Sequence, residues 1–102
     1  MTLYQQGDVL LMTVTIPSGA CANGRTTLAK GEATGHAHRL ADATDGLLYE
    51  AADGTLYLRV GPHGATITHE EHEAITLPQG DYRVGRVQEY DHFAEEARSV
   101  RD

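Results

Sequence analysis

The chemistry legible in this chain lies in two histidine pairs, His36-Ala37-His38 and His69-Glu70-Glu71-His72, each beside a segment that alternates like a β-strand. Side chains at positions i and i+2 of a strand point to one face, roughly 6.6 Å apart along the backbone, so two imidazoles can converge on one ion. A second pair brought alongside completes a ligand set. Neutral imidazole suits Zn, Fe, Ni, Cu and Mn, with three or four rings and sometimes a carboxylate. If His69 ends a strand and the chain turns at Glu70-Glu71, His72 folds back towards the same ion. Glu73 is the first choice for a carboxylate ligand or for a group supporting one, and Glu32 is also close to the first pair. Gly31 and Gly35 bracket Glu32-Ala33-Thr34 and let that loop approach closely. The expected site is therefore His36, His38, His69, His72 and Glu73 around one divalent transition metal (Zn, Fe, Ni or Mn).

The competing reading makes these histidines ordinary strand and surface residues, with the glutamates of HEEHE serving solubility. Two other chemistries are excluded. His69 and His72 are three apart, whereas the zincin H-E-x-x-H motif needs histidines four apart on a helix. Cys21 lies in Gly19-Ala-Cys-Ala-Asn-Gly24, a turn-like stretch with no local base to activate a thiol. His63, between Gly61-Pro62 and Gly64, reads as a turn residue, and His92 as part of a solvated tail. Four imidazoles on one tetrahedral ion would close the shell and make the metal structural; three with a carboxylate or water would leave a position for catalysis.

The elements that must position these residues are strands. Turn signals recur at short intervals: Pro17-Ser18-Gly19, Asn23-Gly24, Lys30-Gly31, Asp45-Gly46, Asp53-Gly54, Gly61-Pro62-His63-Gly64 and Pro78-Gln79-Gly80. Asn-Gly and Asp-Gly suit hairpin turns, whose central residues need positive φ. Between the turns, Leu10, Met12, Val14 and Ile16 share one face, and Leu56, Leu58 and Val60 share another. Ala65, Ile67 and His69 alternate with Thr66 and Thr68, which turns His69 inward at the end of its strand. His36, His38 and Leu40 share a face, as do Tyr82, Val84, Arg86, Gln88 and Tyr90. Seven or eight short strands are expected. Phe93, Ala97 and Val100 follow Asp91, a potential N-cap, at helical spacing, so residues 91–102 are expected to form a short helical or frayed tail.

Composition sets the bounds. A chain of 102 residues, 40% hydrophobic and 23% charged, suits a single globular domain over 1–102 that buries roughly 60–65% of its unfolded surface. The expected class is all-β, a compact barrel or a two-sheet sandwich. One cysteine cannot form an internal disulfide, and the first residues lack the pattern of a signal peptide, so a cytoplasmic location is expected. The apolar stretch Val9 to Ile16 is too short for a membrane helix. Fifteen acidic residues against eight basic ones, with Lys30 the single lysine, give a net charge of −7. That disfavours nucleic acid, which needs clustered cations. A single chain or a small homo-oligomer fits this composition, and an open position on the metal would admit a small-molecule substrate.

Gly31-Glu-Ala-Thr-Gly35-His36-Ala-His38 resembles the first cupin motif, in which a glycine precedes an H-x-H pair of metal ligands followed by an acidic ligand; Asp42 is the nearest acid here. Pro78-Gln79-Gly80 resembles the turn that opens the second cupin motif. The first motif is one residue short, and Arg83 stands where that second motif places a histidine. This resemblance implies a small β-barrel and a metal-dependent reaction on a small molecule, such as isomerisation, oxygenation or hydrolysis. Read together, GEATGHAHRL, THEEHEAITLPQGDYRV and QEYD are also similar to a group of short, uncharacterised phage and bacterial proteins. That similarity implies shared fold and histidines without an activity. It keeps open a non-catalytic alternative, a structural or assembly protein in which the metal staples copies of the chain. A third reading is a regulatory domain whose acidic surface occupies a basic partner.

Overall fold

The computed structural model describes residues 2–30, 35–41 and 45–87. Glu32, Asp42, His92 and the helix expected over 91–102 lie outside the described residues. Among the described residues ten strands form where seven or eight were expected, the excess including very short ones. They are β1 (Leu3–Gln6), β2 (Val9–Thr13), β3 (Cys21–Ala22), β4 (Thr27–Lys30), β5 (Ala37–Leu40), β6 (Gly46–Glu50), β7 (Leu56–Val60), β8 (Ala65–Thr68), β9 (Ile75–Leu77) and β10 (Gly80–Arg86). Every pairing is antiparallel, which suits short hairpin connections. One sheet has the order β1-β2-β10-β7-β6-β3 and the other β4-β5-β8-β9. The all-β class holds in its two-sheet form, and among the described residues the sheets do not join into a closed barrel.

The sheets enclose an apolar cluster built from Val9, Leu11, Leu48, Leu58, Ile67 and Leu77, with the Tyr82 ring among them. The alternation read in β7 and β8 is the alternation observed, with Leu58, Val60 and Ile67 buried; in β5 His38 and Leu40 are buried as expected, but so is Ala37 on the other face. β2 differs. It ends at Thr13, short of Ile16, and Val9, Leu10 and Leu11 are all buried, so side chains on both faces of this inner strand are covered. A central strand covered this way loses the alternation that would mark its inner face.

Asp53-Gly54 forms the turn expected between β6 and β7, with Gly54 at φ +87° and the Asp53 carboxylate accepting from the Thr55 N–H at 2.9 Å. Asp45-Gly46 is not a hairpin turn: Gly46 opens β6, while Asp45 accepts the Gly61 N–H on its carbonyl and the His63 N–H on its carboxylate. It thus fastens the loop by which the chain crosses from β7 to β8. The turn that matters most for the histidines is Gly7-Asp8, the two-residue loop between β1 and β2 with Gly7 at φ +57°. Primed hairpin turns need positive φ at that first position, and glycine supplies it. Among the described residues, no helix is long and apolar enough to cross a membrane.

Candidate metal centre

The register of β5 with β8 brings the two histidine pairs together. Arg39 stands opposite Thr68 and Leu40 opposite Ile67. Extending that ladder by antiparallel steps puts His38 opposite His69, Ala37 opposite Glu70 and His36 opposite Glu71. The contacts follow that order beyond the last formal pair. The His38 and His69 ring centroids are 4.3 Å apart, the Ala37 N–H donates to Glu70 Oε2 at 3.0 Å, and His36 Nδ1 meets Glu71 Oε1 at 3.2 Å. After Glu71 the chain bends back, leaving His72 with its ring 4.6 Å from that of His69 and 6.1 Å from that of His38. His36 reaches His69 at 5.7 Å. All four predicted histidines therefore share one end of the molecule, with His69 central.

Gln6 holds this end to the opposite sheet. It is buried at the end of β1, and its amide Nε2 donates to the Ile67 and Glu73 carbonyls, both at 2.9 Å. Carbonyls only accept, so both amide protons are used and the amide orientation is set. Its Oε1 must then accept, and it faces His38 Nδ1 at 2.9 Å. His38 accordingly carries its proton on Nδ1 and presents the lone pair of Nε2. A partner that fixes the tautomer of a buried imidazole in this way is the usual support of a metal-ligating histidine.

His38 Nε2 faces Asp8 Oδ1 at 3.4 Å, so a nearly solvent-free imidazole has an acceptor opposite each nitrogen. Neutral imidazole has one N–H for two such partners. Protonation would supply the second, but burial above all, with the His69 charge next, holds the His38 pKa below its ordinary value, against the pull of Asp8. A cation placed between the two groups would satisfy both. Two ligand atoms each about 2.0–2.2 Å from an ion at a tetrahedral angle lie roughly 3.3–3.6 Å apart, the spacing seen here. Asp8 is ready for that role: burial opposes its ionisation, but Arg86 NH1, 2.7 Å from Asp8 Oδ2, helps hold its carboxyl below the usual range.

Glycine at position 7 makes room for the fourth ring. A Cβ there would stand 2.5 Å from His72 Nε2, closer than any real contact allows. The hairpin turn thus both supplies Asp8 and lets His72 lie over its backbone.

The glutamates divide their tasks. Glu70 takes the Ala37 N–H on one oxygen and Arg39 NH1 on the other at 2.9 Å, and the backbone donors above all, with Arg39, bring its pKa down to about 2. It ties the histidine loop to β5. Its carboxylate also groups with His36 and His69, the three ligand atoms lying within 4.8 Å of one another. Glu71 offers its carboxylate to His36 and its N–H to His69 Nδ1 at 3.0 Å. His69 is therefore the Nε2–H tautomer in this conformation; ligation through Nε2 requires a proton on Nδ1 and release of the Glu71 N–H. Glu73 enters through its carbonyl on Gln6, while the residue itself is exposed.

Sequence reading missed Gln6, Gly7, Asp8 and Arg86. A signal existed for the first three: Gly-Asp separates two strand-like runs, a two-residue hairpin connection. Nothing in spacing alone ties that turn to histidines 28 and more positions away.

No curated protein and no solved structure matches the chain. A family described as a domain of unknown function matches residues 5–87, a span that holds Gln6, Asp8, all four clustered histidines and Arg86. With most of its length matched, the chain belongs to that family, DUF8820.

Proposed function

We propose that this domain binds one divalent transition metal ion at the end where the β1–β2 turn, the start of β5 and the β8–β9 loop meet. His38 is the anchor, His69 and His72 complete the imidazole set beside it, and His36 lies on the outer side. Asp8 is the carboxylate ligand in this reading, a choice made over Glu73 because Asp8 stands opposite a histidine nitrogen. The observation that carries the proposal is the buried His38 ring, proton-fixed on Nδ1 by Gln6 and confronting a carboxylate with its lone pair. Nitrogen and carboxylate donors together suit Zn, Fe, Ni or Mn. The Asp8 side chain is 60% exposed, so the site opens to solvent and a small-molecule substrate can reach the ion.

This is the cupin-like part of the reading: a metal held by histidines between two β-sheets, acting on a small molecule in a reducing, cytoplasmic setting that suits the exposed thiol of Cys21. The phage-associated alternative, a metal staple between copies of the chain, draws on the solvent-facing group of His36, His69 and Glu70.

Calorimetric titration of the chelator-treated protein with Zn²⁺, and in parallel with Mn²⁺ and Ni²⁺, tests the proposal. Saturation at one ion per chain is expected, abolished in His38→Ala and weakened in Asp8→Asn. One ion per three chains would identify the staple. No saturable binding, or binding unchanged in His38→Ala, would overturn the centre.

A further inference from the structure

The metal centre leaves unexplained where the cations of this acidic chain have gone. Of the six described arginine and lysine residues, Arg39 and Arg59 are held in ion pairs with Glu70 and Asp81. The other four, Arg25, Lys30, Arg83 and Arg86, all line one cleft. It consists of two adjoining hollows of about 310 and about 640 Å³ that share Leu28, Ala29 and Leu56. These sizes fit a small organic molecule. Among the described residues, the opposing charges are Asp53 on the rim and Asp8 on Arg86. Four cations against these two carboxylates leave a surplus of two positive charges, in a chain whose net charge is −7.

The cleft adjoins the metal centre at two points. Ala29 in its wall is the β4 partner of His38. Arg86 holds Asp8 at 2.7 Å with one nitrogen and donates to the Lys30 carbonyl at 3.4 Å with another. Leu28, Ala29, Leu56 and Val84 give it an apolar floor beneath the charged rim.

We propose that this cleft binds a small organic anion, a compact apolar body bearing one phosphate or carboxylate group, next to the histidine cluster. The apolar body lies on Leu28 and Leu56, and the anionic group is taken by Arg83 with Lys30 or Arg25. A long polyanion is repelled by the acidic remainder of the surface, whereas a small anion senses the local field within a Debye length of about 8–10 Å. The cleft's charge does not depend on the ion. Only the anion's role as a substrate of the metal rests on the proposed metal centre.

The test is a titration of the ¹⁵N-labelled full chain with phenyl phosphate, followed through its amide spectrum in both chelator-treated and Zn²⁺-loaded protein. Benzoate replaces the phosphate by a carboxylate, and phenyltrimethylammonium reverses the charge. Saturating shifts centred on Leu28, Ala29, Leu56 and Arg83 are expected in both forms with phenyl phosphate, benzoate or both, the stronger of the two identifying the anionic group. Added salt should weaken them. Arg83→Gln should bind about tenfold more weakly, as loss of one charge-assisted contact implies, and Arg83→Lys should recover most of it; a dispersed spectrum for each variant shows that it folds. If Zn²⁺ fails to bind while phenyl phosphate saturates, the cleft stands without the metal centre. Absence of saturation, equal response to the ammonium probe, or saturation in the loaded form alone with shifts confined to the histidines would overturn the cleft.

Discussion

The interior has two unlike regions. Around Leu48, Leu58, Ile67 and Leu77 the sheets meet through apolar side chains with essentially no solvent exposure, and shape alone decides what fits. At the end beside the β1–β2 turn, Gln6 and His38 are the buried polar residues among those described; the Gln6 amide and His38 Nδ1 are fully partnered, and His38 Nε2 faces the Asp8 carboxylate. The first region contributes stability through burial. The second holds groups that burial penalises, retained only because the hydrogen bonds of Gln6 offset the cost. A fold keeps such a cluster where geometry is needed for something other than folding.

Substitutions should separate the two regions. Leu58→Ala, deep in the apolar region, should lower unfolding free energy by roughly 2–5 kcal/mol in denaturant titration while the folded protein keeps its Zn²⁺ stoichiometry. Gln6→Met should cost less, roughly 1–3 kcal/mol, because the Ile67 and Glu73 carbonyls lose their donor, but should weaken metal binding about 10–100-fold because His38 Nδ1 loses the acceptor that fixes its ring. Equal metal affinity in that variant would sever Gln6 from the centre. Gly7→Ala should cost about 1 kcal/mol through its left-handed backbone, and its Cβ should displace His72, so that calorimetry shows weaker binding with a melting temperature lowered by about 4–8 °C.

The smallest effect is that of pH on metal-free protein. His38 has a folded pKa below its ordinary 6.5, so as pH falls through 6.5 the unfolded chain takes up a proton that the folded one refuses. The stabilisation is complete above 6.5 and is lost towards the lower folded value. Glu70 behaves alike in a lower window, its contribution present above 4.5 and lost as pH falls towards about 2. Melting temperatures of the chelated protein should therefore fall from pH 7 to 5.5 in the wild type and less in His38→Ala; a flat wild-type profile would contradict the burial argument.

Much of this was legible in the residues. Alternation in Leu56–Val60 and Ala65–Thr68 identified two strands and their inward faces, and His36, His38 and Leu40 marked a third, in which Ala37 on the opposite face is buried as well. The four histidines could be paired in sequence, but that β5 and β8 are neighbours, with His38 opposite His69, is a property of register. Register depends on which strands cross between sheets, and the Gly61–Gly64 crossover carries no signal of its destination. The same limit hid the β1–β2 turn: Gln6 and Asp8 meet the histidines only through contact between sheets. The glutamates could not be told apart in sequence for a local reason. Glu70, Glu71 and Glu73 look alike in sequence, and only the ladder assigns Glu70 to Ala37 and Glu71 to His36.

Whether the polar end holds an ion decides the role of the four histidines. Elemental analysis of protein purified without an affinity tag, beside His38→Ala prepared identically, tests this most directly. Near one Zn, Fe, Ni or Mn per chain in the wild type, lost in the variant, is the predicted result. Metal at background after reconstitution, or equal content in the two proteins, would contradict it and return the four histidines to a structural role.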